Sequence, residues 1–472
     1  MLPMFLAVMD QTIVATALPA IAGELGEVER TSWIVVSYLI AATIAAPIYG
    51  RLGDSFGRRR MMLVALSVFV VASLLCAAAP STTLLSAARF LQGLGGGGLM
   101  TLSQALIGEA IPPRERARYQ GYLAAIAVTA NTFGPVVGGF LTEHFGWRSI
   151  FFISVPIGSA ALALTLRLPT RVAAERLKWR ADPGGLLFFA VFVATTLLAL
   201  EQVQQVKLSA LPLGAGLLSV GIIALVLLVW QEKRAESPLL PLSILRMPAI
   251  WKSDALAACH GGALVSLITF LPVYLQVVRG ASPAESGFLL VPLTVGIGAG
   301  SLVTGRLVSR TGRTTIFPVI GLALLTFNIL CLALFAEQLS TGAFVTVLLF
   351  NGLFMGTVMG VVQVLVQSAA GIRRLGEAAA SVQLSRSLGA AFGTALVGTV
   401  LFAFLQIRNP EAARVFSMLF EHATYAVPAM SPEQRAALQT DIADAFRAAF
   451  LLIAGFTTCG FFLALTNPLR RI

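Results

Sequence analysis

The chain has 472 residues, of which 57% are hydrophobic and only 12% are charged, and its mean hydropathy is +0.86. Soluble domains carry about 25% charged residues, so this composition excludes a water-soluble protein and indicates an integral membrane protein. The net charge of +11 does not indicate a nucleic-acid partner, because the basic residues lie in loops between apolar segments.

Apolar segments of about 20 residues recur along the chain, and each can cross a hydrocarbon core about 30 Å thick. Membrane-spanning strands would instead alternate over segments of roughly ten residues. We therefore predict an all-α membrane protein with fourteen transmembrane helices. The predicted spans are 1–22, 33–50, 61–79, 84–109, 119–142, 149–167, 184–202, 209–230, 253–277, 286–305, 315–336, 342–368, 377–404 and 446–467.

Arginine and lysine concentrate in every second loop. Membrane proteins carry an excess of these residues on the cytoplasmic side. We therefore place both termini in the cytoplasm, in a multi-pass protein of the cell (inner) membrane of a bacterium. The basic loops include Arg58, Arg59, Arg60, Arg114, Arg116, Arg118, Lys233, Arg234, Arg306, Arg310, Arg373 and Arg374.

An acidic residue, Asp10, interrupts the first span within MDQTIVATALP. An ionised carboxylate there costs about 2.5 kcal/mol or more unless it is paired, hydrated or protonated. A buried acid that meets water alternately from each side of the membrane can load and lose a proton, so Asp10 is predicted to couple proton movement. The alternative is a carboxylate that only holds a structural hydrogen-bond network.

The segment GRLGDSFGRRR at 50–60 follows the second span. Its glycines allow a tight turn, while Asp54 can cap a neighbouring helix and Arg58 can donate to another group. The segment is predicted to form a cytoplasmic gating latch that is present in one transport state only. Its predicted members are Gly50, Gly53, Asp54, Gly57, Arg58 and Arg59.

The fourth span carries a second buried charge, Arg89, followed by Gln92 and the run GLGGGG at 93–98. A guanidinium in low dielectric needs acceptors, so Arg89 is expected to approach Asp10 directly, or Gln92 and water in between. A plain tie between helices is the alternative. The glycine run lacks the GK[ST] ending of a phosphate loop and indicates close helix packing.

The fifth span contains GPVVGG at 134–139, where Pro135 removes one helix hydrogen bond and bends the helix. Gly134, Gly138 and Gly139 give this helix a face without side chains. We expect that face to pack against a helix from the second half of the chain and to seal against leaks. Packing alone is the alternative reading.

The chain repeats itself at an offset of 255 residues. GRLGDSFGRR at 50–59 matches GRLVSRTGRT at 305–314, and GPVVGGFL at 134–141 matches GAAFGTAL at 389–396. Matches in the same orientation indicate parallel repeats, between which transporters bind substrate. We predict a six-helix bundle over 1–167, a linker with an inserted transmembrane hairpin over 168–252, and a second six-helix bundle over 253–472.

Polar and aromatic residues inside the spans are candidates for a substrate cavity between the two bundles. Amides can line a cavity or bond across helices, and Arg386, at the repeat position of Asn131, fits a structural tie as well as a functional role. The candidates are Tyr38, Gln92, Asn131, Phe133, Phe270, Gln276, Gln363, Gln367 and Arg386.

Two further features are assigned to the membrane surface. Asp254 is expected to be an interfacial residue near the cytoplasmic end of its span. The segment 405–445 is predicted to be an extracytoplasmic loop whose SPEQRAALQ stretch forms a small cap helix, as a connector or a lid. The three histidines are scattered without ligand spacing, so no metal site is expected.

These motifs resemble the major facilitator superfamily, specifically its fourteen-span branch of drug/proton antiporters. The resemblance covers the whole chain and includes ARFLQGLGGG at 88–97, NTFGPVVGGFL at 131–141 and WRSIFFISVPIG at 147–158. It implies the major facilitator fold, assigns Arg89 to proton transfer, and favours export over uptake. Ser309 departs from the pattern, because it stands where the first repeat has Asp54.

The residues and the resemblance together predict a proton-coupled exporter of amphipathic compounds, cationic or neutral hydrophobic, of the multidrug-efflux type. It is expected to work by alternating access, without a cofactor, using the proton gradient as its energy source. The expected partners are a small-molecule substrate, protons and the lipid bilayer, for a monomer with or without accessory export proteins.

Two alternatives remain open from the sequence. The first is a dedicated exporter of one metabolite, lipid or amino acid. The second is a membrane enzyme or channel, although no nucleophile–base pairing or metal motif supports an enzyme and nothing indicates a pore.

Overall fold

A computed structural model describes residues 1–26, 31–168, 182–204, 211–240, 242–413 and 432–471. These residues fold into helices joined by turns. The helices are α1 (Leu2–Leu25), α2 (Ser32–Phe56), α3 (Arg58–Ala78), α4 (Thr82–Ala110), α5 (Pro113–Phe145), α6 (Ser149–Phe152), α7 (Ser154–Leu166), α8 (Pro183–Gln204), α9 (Leu211–Glu232), α10 (Leu242–Leu245), α11 (Pro248–Val277), α12 (Pro283–Thr311), α13 (Ile316–Phe335), α14 (Thr341–Ala370), α15 (Leu375–Arg408) and α16 (Pro432–Leu465).

Thirteen segments in the described part of the chain are helical, long and apolar enough to span a membrane, and α6 with α7 forms one of them. The fourteenth helix is α4, which has 29 residues and packs between its neighbours α2 and α3. Its glycine run, Arg89 and Gln92 lower its hydropathy. The predicted all-α membrane protein with fourteen transmembrane helices is therefore confirmed.

Polar caps and glycines set the helix ends. Ser81 Oγ accepts a backbone N–H at the start of α4, and Ser282 with Glu285 forms a capping box at the start of α12. Gly26 and Gly312 end α1 and α12 with φ of 75° and 67°, a left-handed conformation that glycine adopts at little cost. The breaks between spans therefore lie where the sequence turns polar.

Helices α1–α7 and helices α11–α16 form two sets, each with apolar cores of its own. The inserted helices α8 and α9 pack against each other, and α8 also packs against α2 and α15. The hairpin therefore lies beside the seam where the two sets meet. We call the end of the sets that carries Arg58–Arg60, Arg114 and Arg373–Arg374 the basic end.

Two close helix crossings join the sets, α2 with α15 and α5 with α12. A Cβ on Gly50 would lie 2.5 Å from the carbonyl oxygen of Gly376, and a Cβ on Gly121 would lie 2.6 Å from that of Ser301. No side chain fits in such a gap, so glycine lets the backbones touch. The repeat offset relates Gly121 to Gly376, so both crossings use the same device.

The last predicted loop differs from the structure. Helix α15 continues to Arg408, and α16 runs without interruption from Pro432 into the last span. The expectation of a separate cap helix was wrong, because the alanine-rich stretch after Pro432 favours continuation of the helix. The remainder of that loop, 414–431, lies outside the described residues.

Candidate functional site

The charges predicted on the first and fourth spans meet in the interior of the first set. Arg89 Nη1 donates to Asp10 Oδ2 at 2.5 Å, and both side chains are buried, with exposures of 1% and 0%. Arg89 Nε also donates to the carbonyl oxygen of Ile34 at 3.3 Å. The pair therefore links α1, α2 and α4 by charge-assisted hydrogen bonds.

Gln92 completes the pairing from one helical turn further along α4. Its Nε2 donates to Asp10 Oδ1 at 2.8 Å, and its Oε1 accepts from Arg89 Nη1 at 2.6 Å. The same Nε2 donates to Ser73 Oγ of α3 at 2.8 Å. Gln92, a candidate for the substrate cavity, is fully buried in this network.

Tyr38 of α2 covers the guanidinium. The Arg89 Cζ lies 4.2 Å from the centre of the Tyr38 ring, a cation–π distance, and the Tyr38 hydroxyl donates to the carbonyl oxygen of Ala7 at 3.3 Å. Gly96 provides the space for that hydroxyl. Tyr38 is 1% exposed, so it supports Arg89 instead of lining a cavity as predicted.

This arrangement makes the acid and its counter-charge depend on each other. A buried ion pair is costly to break, because removing one charge leaves the other without compensation in low dielectric. Protonation of Asp10 removes its negative charge and leaves Arg89 with Gln92, the Ile34 carbonyl and the Tyr38 ring. A single proton therefore changes the balance of forces among α1, α2 and α4.

A second polar cluster closes the basic end. Asp54, near the end of α2, accepts the backbone N–H of Gly376 at 2.9 Å and that of Glu377 at 3.0 Å. These groups are unpaired donors in the first turn of α15, where the helix dipole favours a negative charge. The predicted capping of a neighbouring helix by Asp54 therefore joins the two sets.

Arg58 contacts residues of both helix sets at the basic end. Its Nε donates to Asp54 Oδ1 at 3.0 Å, its Nη1 to Glu109 Oε2 at 2.9 Å, and its Nη2 to the carbonyl oxygen of Ile372 at 3.1 Å. Arg59 instead donates from Nε to the carbonyl oxygen of Thr165 at 3.1 Å, within the first set. Of the two predicted arginines, only Arg58 therefore bridges the sets.

Sequence reasoning missed Glu377, which supplies the third link of the closure. Arg51 of α2 forms a buried ion pair with the Glu377 carboxylate of α15. Arg51 Nη2 also donates to Ser237 Oγ at 3.0 Å, in the segment that follows the inserted hairpin. The only sequence signal was an acid placed directly after a basic loop at a helix start.

The glycines of GPVVGG take a different partner from the one expected. A Cβ on Gly138 would lie 2.6 Å from the carbonyl oxygen of Ile13 and 2.5 Å from Thr16 Oγ1, so α5 packs here against α1 of its own set. Gly139 has no atom within 4 Å of such a Cβ. The expected packing against the second half was wrong, because that crossing uses Gly121 instead.

The other cavity candidates lie in several different environments. Phe270 is buried in the core of the second set against Gly398, and Gln276 Nε2 donates to Ser286 Oγ at 3.0 Å between α11 and α12. Gln363 and Gln367 are buried at 2% and 0% exposure. The environments of the remaining three differ: Asn131 and Phe133 are exposed on α5, whereas Arg386 is partly buried on α15.

The buried amides lie where the sets touch. Gln367 Nε2 donates to the carbonyl oxygen of Gln104 on α4 at 3.0 Å. Gln120 of α5 lies within 3.4 Å of the position of a Cβ on Gly360 of α14. In this state these amides belong to the closed basic end and do not line an open cavity.

Asp254, expected to be an interfacial residue near the cytoplasmic end of its span, is buried in the structure. It is 7% exposed and lies between α11 and α15, where Ser381 Oγ donates to its Oδ1 at 3.3 Å. Its position near the start of α11 places it close to the basic end, away from Asp10. Helix α15 covers the side chain, which the sequence did not indicate.

The structure has two helix sets that are joined at the basic end, where Arg51 and Glu377 form a buried ion pair. This architecture agrees with the comparison to known families. The family model of the Major Facilitator Superfamily matches residues 1–394. The chain belongs to the major facilitator superfamily. Membership makes it a multi-pass membrane transporter and not an enzyme.

Two curated relatives illustrate this membership. The uncharacterized MFS-type transporter Rv1877 of Mycobacterium tuberculosis is 35% identical over 465 residues, which are 97% of this chain and 67% of that protein. The multidrug transporter protein MdtP of Bacillus subtilis is 30% identical over 403 residues, which are 85% of this chain and 74% of that protein.

A solved structure shares the fold of this superfamily member. The human organic anion transporter MFSD10 (TETRAN) superposes with a TM-score of 0.68 at 14% identity, covering 98% of this chain and 97% of that one. At this identity the likeness concerns the fold alone.

Proposed function

We propose that this major facilitator protein is a proton-coupled exporter of amphipathic or hydrophobic compounds in the cell (inner) membrane. The observation that carries the proposal is the buried Asp10–Arg89 pair, a titratable acid held against its counter-charge within the first set. An acid in this position is suited to bind and release a proton during transport. The multidrug relative MdtP supports the substrate class.

The proposed orientation follows from the charge distribution. The basic end is cytoplasmic by the usual bias of arginine and lysine, which puts both termini in the cytoplasm. The bonds of Asp54, Arg58 and Arg51 then close the cytoplasmic side. Among the described residues the main contacts of α1 and α11 are with helices of their own sets. We therefore assign the outward-facing state.

The proposed cycle uses one proton to bias two states. In the outward-facing state, substrate leaves and a proton from outside binds Asp10. The uncompensated Arg89 then favours a rearrangement of α1 and α4 that opens the cytoplasmic side. When the proton leaves to the cytoplasm, the Asp10–Arg89 pair forms again and substrate binds. The proton and the substrate each shift the equilibrium between the outward-facing and inward-facing states toward the state that they bind more tightly.

The test uses purified protein in vesicles with an imposed pH gradient and a panel of dyes, biocides and metabolites. Asp10→Asn keeps the size and hydrogen-bonding capacity of the side chain but can neither bind nor release a proton. We expect uphill export and substrate-induced proton release to be lost, while downhill exchange survives within a few fold.

Glu24→Gln is the matched control, because Glu24 lies on the same helix in an exposed ion pair with Arg148. This variant should keep both uphill export and exchange. Uphill export by Asp10→Asn at the wild-type rate would contradict the proposal, and Asp254 or Glu109 would then be the next acid to test.

A further inference from the structure

Arg386 is a cation near the middle of α15 whose charge is not matched by a neighbouring acid. Its Nη2 donates to Gln383 Oε1 at 2.5 Å. Within the described residues no carboxylate lies within 4.0 Å of its guanidinium, whereas Arg51, Arg58 and Arg89 each contact one. An arginine inside a membrane protein normally finds an acid or a ring of acceptors.

Arg386 lies one helical turn after Gln383, in a part of α15 that contacts the first set. Gln383 Nε2, one turn earlier on α15, lies 3.7 Å from Met100 Sδ on α4 of the first set. Every residue from 383 to 391 is partly exposed, within a segment that is long and apolar enough to span a membrane. On its other side the Arg386 stem lies against α11, where Gly261 leaves room for it.

Asp10 and Asp254 are two acids within predicted spans, and neither contacts the Arg386 guanidinium. Asp10 is occupied by Arg89 and Gln92. Asp254 is seven residues before Gly261 on α11, about 10 Å along the helix axis toward the basic end, and is bonded to Ser381. With the Asp10–Arg89 pair formed and Asp254 about 10 Å away along α11, no carboxylate among the described residues contacts the Arg386 guanidinium.

We propose that Arg386 binds an anionic group of the transported compound, such as a carboxylate, with Gln383 as a second contact. This inference rests on the proposed export function and specifies the substrate class as amphipathic organic anions or zwitterions that carry such a group. A guanidinium matches a carboxylate through two parallel N–H donors, and the low dielectric strengthens the bond.

The same electrostatics act against an organic cation. Such a compound would meet the charge of Arg386 at close range, where no carboxylate of the described residues contacts the guanidinium. Cationic drugs, which are among the substrates expected from the sequence, are therefore expected to be the weaker ligands.

The test compares two dyes that differ in one group. Rhodamine B carries a free carboxylate, and its ethyl ester does not. Binding of each dye to the purified protein is measured by fluorescence polarisation at pH 7.5 without any gradient. We expect rhodamine B to bind more tightly than the ester by about tenfold, the range of a charge-assisted hydrogen bond.

Arg386→Gln should lower the affinity for rhodamine B by about tenfold and leave that for the ester within about twofold. Arg386→Lys keeps the charge and should retain most of the preference. The control is Arg408→Gln, because Arg408 pairs with Asp441 at 3.1 Å near the other end of α15, away from the proposed site. It should change neither affinity.

Equal binding of the two dyes, tighter binding of the ester, or binding of neither dye would overturn the proposal. The result is separate from the export function, because the measurement needs no gradient. A preference for rhodamine B that depends on Arg386, in a protein that releases no protons on substrate binding, would uphold this inference and refute proton coupling.

Discussion

The carboxylate of Asp54 accepts the backbone N–H of Gly376 at 2.9 Å, although 322 positions separate the two residues in the chain. The bond joins the end of α2 to the first turn of α15 and therefore joins the two helix sets. A carboxylate at this position satisfies donors that a helix start leaves unpaired.

Asp54→Asn is expected to weaken the closed basic end. The amide keeps an acceptor oxygen but loses the charge that strengthens the bonds to Gly376, Glu377 and Arg58, at a cost of about 1.5–3 kcal/mol. We expect the population of the outward-facing state to fall by about tenfold to a hundredfold relative to the inward-facing state. The distance between spin labels at positions 60 and 372 measures this shift.

Ser309→Ala is the control for that experiment, because Ser309 occupies the repeat position of Asp54 without an acid. The control should leave the label distance unchanged. An Asp54→Asn protein with normal closure but weakened substrate binding would show that Asp54 acts on the substrate site instead.

Gly376→Ala is expected to prevent close contact at the α2–α15 crossing. The new Cβ would lie 2.2 Å from the carbonyl oxygen of Gly50, a backbone atom that cannot rotate away. The same label pair should report an opened basic end, and transport should slow. Gly455→Ala in α16, where no atom lies within 4 Å, should behave as wild type. A closed basic end in Gly376→Ala would contradict the role of this crossing.

Two adjacent glycines of GPVVGG are expected to respond differently to alanine. Gly138→Ala meets the backbone of Ile13 and should cost about 1–3 kcal/mol, the usual range for overpacking. Gly139→Ala has open space and should change the stability by less than about 1 kcal/mol. Thermal unfolding in detergent compares the two, and equal melting temperatures would refute the close α1–α5 contact.

The proposed topology is tested with single cysteines at described, exposed positions. Arg114→Cys lies at the basic end, and Glu337→Cys lies at the opposite end between α13 and α14. In intact cells an impermeant maleimide should label position 337 and spare position 114. Labelling of position 114 from outside would place the basic end outside the cell and contradict the proposed cytoplasmic location of both termini.

The sequence predicted the helices well because long apolar runs leave few alternatives in a membrane. It also singled out Asp10, Arg89 and Asp54, since a charge inside or beside such a run is costly and stands out. The helix ends were less accurate: α15 and α16 extend past their predicted limits, because hydropathy does not register a helix that continues into water.

Contacts between distant residues could not be derived from the pattern. Glu377 lies 326 positions from Arg51, and no local feature marks the two as partners. Tyr38 was expected in a cavity because an aromatic ring fits a ligand or a guanidinium equally well. The choice between them depends on the rotation of α2 against α4, which the apolar period fixes only coarsely.

Arg51 is bound on one side to Glu377 and on the other to Ser237, in the segment that leads out of the inserted hairpin. Opening the basic end by separating Arg51 from Glu377 changes the tether on that segment as well. The inserted hairpin and the closed basic end are therefore connected through Arg51. Because α8 and α9 also present exposed apolar surface, we expect the transport rate to depend on the lipid around them, and Ser237→Ala to weaken that dependence.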